Sequence, residues 1–161
     1  MKKIATLLAM LTLCVASTAF AANQVRISQV YGGGGATSGT PTYANDYVEI
    51  FNSGATSVDI SGWTIEYGSA TGNWGSSSAN IFTFPSGSSI APCSYVLVSG
   101  AAGTAGGALP VTADYSGTFN ASATSGKFAL FNAVNTNLAC GSELAGTLVD
   151  KIAYGTATCS E

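Results

Sequence analysis

A chain of 161 residues has room for one ordinary domain. Only 8% of the residues are charged, 47% are hydrophobic and 20 are glycine, which excludes charge-driven disorder, a coiled coil and a polybasic nucleic-acid arm. The formal charge is −3 and there is no histidine, so the commonest general base, the usual zinc ligand and the Ser-His and Cys-His pairings are all missing.

The first twenty-one residues read as an export leader. Lys2 and Lys3 form a basic n-region, and Ile4 to Val15 is an apolar run of h-region length. Ala19-Phe20-Ala21 presents small residues where a signal peptidase inspects them, so cleavage is expected after Ala21. The apolar run is too short for a membrane helix, which needs about twenty residues. Leu11-Thr12-Leu13 puts leucine where a lipoprotein anchor at Cys14 would want Gly, Ala or Ser. No later segment is long and apolar enough to span, so a mature protein without a transmembrane segment is expected, extracellular or periplasmic. It keeps Arg26, Lys127 and Lys151 against eight acids. That balance repels phosphate backbones, and direct nucleic-acid binding is not expected.

Beyond the leader, the periodicity is that of strands. Val25 to Tyr31 is the first, ended by Gly32–Gly35 and the small residues Ala36-Thr37-Ser38-Gly39. Asp46 to Asn52 is the second. Asn52 and Asp59 flank the turn at residues 53–57, where short polar side chains bond local amides. Trp63, Ile65 and Tyr67 then alternate with Thr64 and Glu66, the pattern of a half-buried strand. Trp63 is expected as a core plug between sheets. Gly62 and Gly155 are expected to permit tight backbone geometry beside Trp63 and Tyr154.

Asn80 to Phe84 and Ser94 to Val98 follow as strands. Residues 101–125 form a long stretch of small residues broken by Leu109, Val111, Tyr115 and Phe119. Such a length implies either an insertion with functional contacts or a mobile flap. Phe128 and Leu130 alternate with Lys127 and Ala129, and Thr147 to Tyr154 is the last strand. Charged residues in such patterns, Lys127 and Lys151 included, are expected to face solvent. About seven short strands and no capped helical window predict an all-β, antiparallel sandwich of immunoglobulin type.

Once Cys14 leaves with the leader, Cys93, Cys140 and Cys159 remain, an odd count for an oxidising compartment. One disulfide and one orphan are implied. Cys140 with Cys159 is favoured, because the two flank the last strand and closing that loop is worth roughly 3 kcal/mol; Cys93 with either stays open. The separations contain no CxxC knuckle, so a three-cysteine metal site is a poor reading.

The acids are the plentiful ionisable groups. Asp46 and Glu49 lie three apart in a strand and point to opposite faces, which disfavours a carboxylate dyad. Calcium asks only for several oxygens, which Asp46, Asn45 and Gly-rich-loop carbonyls supply, yet no DxDxDG loop is present. Gly34 to Gly39 has a phosphate-loop gap but continues Thr40-Pro41, and Gly68-Ser69-Ala70-Thr71-Gly72 has alanine at the nucleophile position. A Ser-Lys dyad on Lys127 or Lys151 stays open on composition. Asn120-Ala121-Ser122 has the form of a glycosylation sequon, which the bacterial look of the leader makes an accidental match.

Asn45-Asp46-Tyr47-Val48-Glu49-Ile50-Phe51-Asn52, followed by Ser57-Val58-Asp59-Ile60-Ser61-Gly62-Trp63, resembles the lamin-tail domain of secreted bacterial proteins. This immunoglobulin-like module is shared with the tails of nuclear lamins. Ile27 to Gly33, Ser125 to Leu130 and Val149 to Gly155 extend the resemblance over essentially the whole mature chain. It implies that Asp46, Glu49, Asn52, Asp59, Gly62, Trp63, Asp150, Tyr154 and Gly155 serve the fold. It also implies a binding or tethering module with no catalytic residue and no cofactor. In relatives the domain often sits beside a nuclease, phosphatase or other hydrolase, so the implied partner is an extracellular or envelope ligand or a linked hydrolase domain. Relatives continue past the Tyr-Gly segment through Cys-x-Glu-Gly, whereas this sequence stops at Cys159-Ser160-Glu161. The expectation is a sandwich over residues 22–161 that ends short, or a piece of a longer reading frame. The alternative function is a small secreted hydrolase, calcium-assisted, with Asp46 and nearby loop oxygens as its site.

Overall fold

The alternation read in the second strand is what builds the sandwich. In the computed structural model, which describes residues 24–159, Asp46, Val48, Ile50 and Asn52 of β2 (Asn45–Asn52) are buried while their neighbours face outward. The expected leader, its cleavage site and Cys14 lie outside the described residues.

Strand β2 pairs antiparallel with β1 (Val25–Tyr31) on one side and β7 (Ser94–Ala102) on the other. A short strand β8 (Tyr115–Ser116) completes the first sheet, in the order β1-β2-β7-β8. The second sheet runs β10-β9-β4-β5, from Leu148–Tyr154, Gly126–Phe131, Thr64–Ser69 and Ile81–Thr83. Strands β3 (Val58–Asp59) and β6 (Ser89–Ile90) form a two-stranded ladder. A single 3-10 turn covers Ser78–Asn80. The fold is therefore all-β, as expected, with the apolar faces of the two sheets as its core. Val48, Ile50 and Val98 of one sheet belong to the same buried cluster as Ile65, Phe128 and Leu130 of the other.

Three details depart from the sequence reading. There are ten strands among the described residues, because β3, β6 and β8 have two residues each, too few for a period-2 pattern to register. Strand β8 pairs parallel to β7, so the first sheet is mixed. The third departure is larger: Thr64, Glu66, Lys127 and Ala129 are buried, so neither β4 nor β9 has a solvent face.

What covers them is a layer of loops. Trp74, fully buried, packs with Ala129 and Phe131, and Cys140, Leu148 and Cys159 lie against this group. The disulfide joins Cys140 to Cys159, with Cα atoms 6.0 Å apart, and Cys93 is free and exposed. The fully buried indole is thus Trp74 and not Trp63, which is only partly buried at the core's edge. Trp74 was hidden from periodicity because it sits in a Gly- and Ser-rich loop. Gly62 and Gly155 have φ of 74° and 66°, left-handed values that other residues adopt only at a cost.

Candidate functional site

Asp46, the carboxylate singled out for metal chemistry, lies on the inner face of β2 with no exposed surface. Its Oδ2 accepts the Ala121 N–H at 2.7 Å, while Oδ1 has no hydrogen-bond partner. Burial raises its pKa above the ordinary 3.8, and the amides of Ala121, Gly34 and Gly33 offset this only in part. Amide N–H groups suit an anion, whereas calcium wants six or more oxygens. Asp46 therefore fastens the Gly-rich loop and the end of the 101–125 segment to β2.

The other motif residues are fasteners of the same kind. Asn52 donates through Nδ2 to the carbonyls of Thr56, Ile90 and Ala91 and accepts the Gly54 N–H. Asp59 accepts the Ser61 N–H at 2.8 Å. Asp150 Oδ2 accepts the Ile27 N–H at 2.7 Å, which ties β10 of the second sheet to β1 of the first. The Tyr154 hydroxyl donates to the Ser122 carbonyl at 2.6 Å, and burial holds its pKa above the ordinary range. Glu49 faces outward, opposite to Asp46, and accepts the Ser28 hydroxyl at 2.6 Å.

Under the loop layer of the second sheet lies a separate polar cluster. The Lys127 ammonium, expected at the surface, sits 5.2 Å from the centroid of the Trp74 ring because that loop closes over it. Burial lowers its pKa, with Glu143 opposing. Glu143 accepts the Trp74 indole N–H and the Gly141 N–H, each at 2.9 Å. Its own burial would raise its pKa, but these bonds and the nearby Lys151 hold it below 4.5. Donor atoms of Cys140, Glu143 and Cys159 lie within 4.8 Å of one another, yet the disulfide engages both sulfurs and Glu143 is already bonded through both oxygens.

The surface that presents itself for contact is the outer face of the first sheet. The register sets Tyr31 opposite Tyr47, and their rings stack 5.6 Å apart at 15°. Tyr43, arriving from the loop before β2, meets Tyr31 edge-on at 5.4 Å. The Tyr47 hydroxyl donates to Gln29 Oε1 at 2.8 Å. Burial, with Tyr43, Glu49 and Tyr31 adding to it, raises the Tyr47 pKa.

Across from these rings runs the Leu109–Val111 segment, and between the two sides lies a groove of about 230 Å³ with Gln29, Glu49 and Leu97 in its lining. A second hollow of about 400 Å³ opens on the other side of the segment, beside Asn45, Ser99 and Ser116. Farther along the same face Phe51 stacks on Tyr95 at 4.5 Å, and Tyr95 is 58% exposed.

Residues 101–125 are anchored at both ends. Asp114 N–H donates to the Leu97 carbonyl, and its carboxylate accepts the Leu97 N–H. Gly107 exchanges bonds with Thr42 and Ala44, and Phe119 is fully buried. The stretch is thus hydrogen-bonded to β7 and to the loop before β2. Sequence reasoning named Leu109, Val111 and Asp46 but missed Tyr31, Tyr43 and Tyr47. The signal was available for Tyr47, which alternates outward from Asp46 and Val48, but not for Tyr31, which shares the parity of buried Val25 and Ile27 and turns outward only through the bulge between Ile27 and Gln29.

A family model for the lamin tail domain matches residues 18–156. The chain belongs to the lamin tail domain family. No curated protein matches it. The match spans every described strand, so the fasteners above are parts of a lamin tail domain, an immunoglobulin-like module, and the tyrosine groove is a surface feature carried on it. Among the described residues no helix is long and apolar enough to cross a membrane.

Proposed function

We propose that this lamin tail domain is an exported, non-catalytic binding or tethering module. Its contact surface is the groove between the Tyr43–Tyr47 face and the Leu109–Val111 segment, and its partner is an extracellular or envelope ligand or a linked hydrolase domain. The observation that carries the reading is the contrast between the two kinds of polar group. Asp46, Asn52, Asp59, Asp114 and Asp150 are bonded to backbone amides of the fold. The groove, by comparison, gathers aromatic rings and polar side chains at the surface without any hydrogen-bonded acid-base pair. Export is supported by the leader pattern at residues 1–21 and by the disulfide, which persists in oxidising compartments.

The test starts from the protein recovered outside the cytoplasm. Mass spectrometry should find an N-terminus at Ala22 and a Cys140–Cys159 disulfide. The purified chain is then mixed with cell-envelope, polysaccharide and DNA preparations. Retention on at least one supports the reading. Uniform failure to bind, or turnover of a substrate by the rigorously pure chain, overturns it.

A further inference from the structure

We infer that the groove beside Tyr43 and Tyr47 holds a neutral polysaccharide chain, an assignment that rests on the binding-module reading above. A sugar ring is amphiphilic: its flat faces carry C–H groups and its rim carries hydroxyls. A site for it needs aromatic surface for the faces and, beside that surface, uncommitted donors and acceptors for the rim. The groove supplies both. Tyr43 and Tyr47 form one wall. At its edge the Tyr43 hydroxyl, the Gln29 amide nitrogen and Glu49 Oε2 have no hydrogen-bond partner among the described residues, whereas Gln29 Oε1 and Glu49 Oε1 are already engaged within the fold.

Other occupants fit less well. The one ionised group lining the groove is the Glu49 carboxylate, which repels phosphate, sulfate and uronate groups. A lipid would leave the lining's hydroxyl, amide and carboxylate unsatisfied. A peptide that binds by strand addition needs a free sheet edge, but this groove lies over the face of β2, whose backbone is already paired to β1 and β7. The second aromatic contact favours a polymer over a single sugar. The Phe51–Tyr95 stack lies on the same face, four residues along β2 from Tyr47, a distance of about 13 Å.

The test is affinity electrophoresis of the exported chain in gels containing hydroxyethylcellulose, mixed-linkage β-glucan, galactomannan or soluble starch, with dextran sulfate and duplex DNA as polyanions. At least one neutral gel should retard the protein. Tyr43→Ala and Tyr47→Ala should each weaken that retardation by about tenfold in apparent Kd. Tyr43→Phe, whose lost hydroxyl has no partner within the fold, should weaken it severalfold while leaving the melting temperature unchanged, so loss of folding cannot explain its effect. Retardation in no neutral gel overturns the inference, as does retardation that all three variants preserve. Binding to dextran sulfate, DNA or crude envelope without any neutral-gel retardation overturns the polysaccharide assignment while leaving the binding module standing. Failure on every preparation removes both.

Discussion

Breaking the Cys140–Cys159 disulfide tests the layer that roofs the second sheet. The bond closes a loop with a sequence separation of 19 and fixes the end of the described chain against Trp74 and Phe131. In the chain-entropy account, releasing a loop of this size frees the unfolded state by about 3 kcal/mol. For a domain of this size each kcal/mol moves Tm by roughly 3–5 °C, so the Cys140→Ser/Cys159→Ser double variant should melt about 10 °C lower. Because the disulfide pins loops and not the core strands, the far-ultraviolet β signature should survive at 20 °C. The near-ultraviolet signal of Trp74 should weaken as its roof loosens. The measurement is thermal unfolding by circular dichroism at both wavelengths, with peptide mapping of the oxidised wild type. A double variant melting within about 3 °C of wild type, or mapping that pairs Cys93, would refute the reasoning.

The remaining predictions follow from buried groups. Phe119 is fully buried edge-on to Phe128, with ring centroids 5.4 Å apart; Phe119→Ala should cost about 3–5 kcal/mol in denaturant unfolding and speed proteolysis within residues 101–118, and unchanged cleavage there would count against the anchored segment. Burial raises Asp46 above 3.8 and Glu66 above 4.5, so the folded state holds protons that the unfolded chain releases. Their contribution is full below those ordinary values and is lost as pH rises through the folded pKa values, and Glu66→Gln should flatten that decline in a Tm-against-pH series; an unaltered slope would contradict it. For Lys127, whose pKa burial lowers from 10.5, the unfolded chain binds the extra proton, so wild-type stability gains from this group as pH approaches 10.5. Lys127→Met should keep or raise Tm at pH 7 and lose that gain, and strong destabilisation at pH 7 would show that the cation holds the layer together.

Strands that pack one face on a core and show the other to solvent or to a single covering segment announce themselves in sequence. β1 has the bounds that its alternation suggests, and in β2 the inward set Asp46, Val48, Ile50 and Asn52 is separated from the outward set by parity alone. The disulfide was legible for a related reason, since Cys140 and Cys159 bracket one strand. β4 and β9 misled because alternation of polarity is evidence of a solvent face only where no third layer exists. Here Trp74 and the loop after β9 cover Glu66 and Lys127, and nothing within either strand signals that the loops following them fold back as a roof. The groove was illegible for the same reason in reverse. Gln29, Tyr43 and Leu109 belong to three separated segments, and only the pairing of β1 with β2 and the anchoring of the 101–125 stretch bring them together.

The two outer faces of the sandwich are therefore used differently, and the difference locates the site. On the second sheet the polar side chains Thr64, Glu66 and Lys127 point outward but are buried, and a disulfide-closed layer of loops covers them. On the first sheet the side chains pointing outward mix aromatic rings with Gln29, Glu49 and Leu97, and the covering segment Leu109–Val111 leaves Val111 61% exposed and Tyr95 58% exposed. Burial alone would not favour covering Glu66 and Lys127, because buried charges are costly. Tyr31, Tyr43, Tyr47 and Phe51 are partly buried against one another and their neighbours, and Tyr95 is the exposed ring of the set, while a lysine and a glutamate lie under cover on the other sheet. This partly covered aromatic face is what supports the proposed contact site. For the proposed polysaccharide, the hydroxyl, amide and carboxylate set among the rings are the groups that would meet its hydroxyl rim.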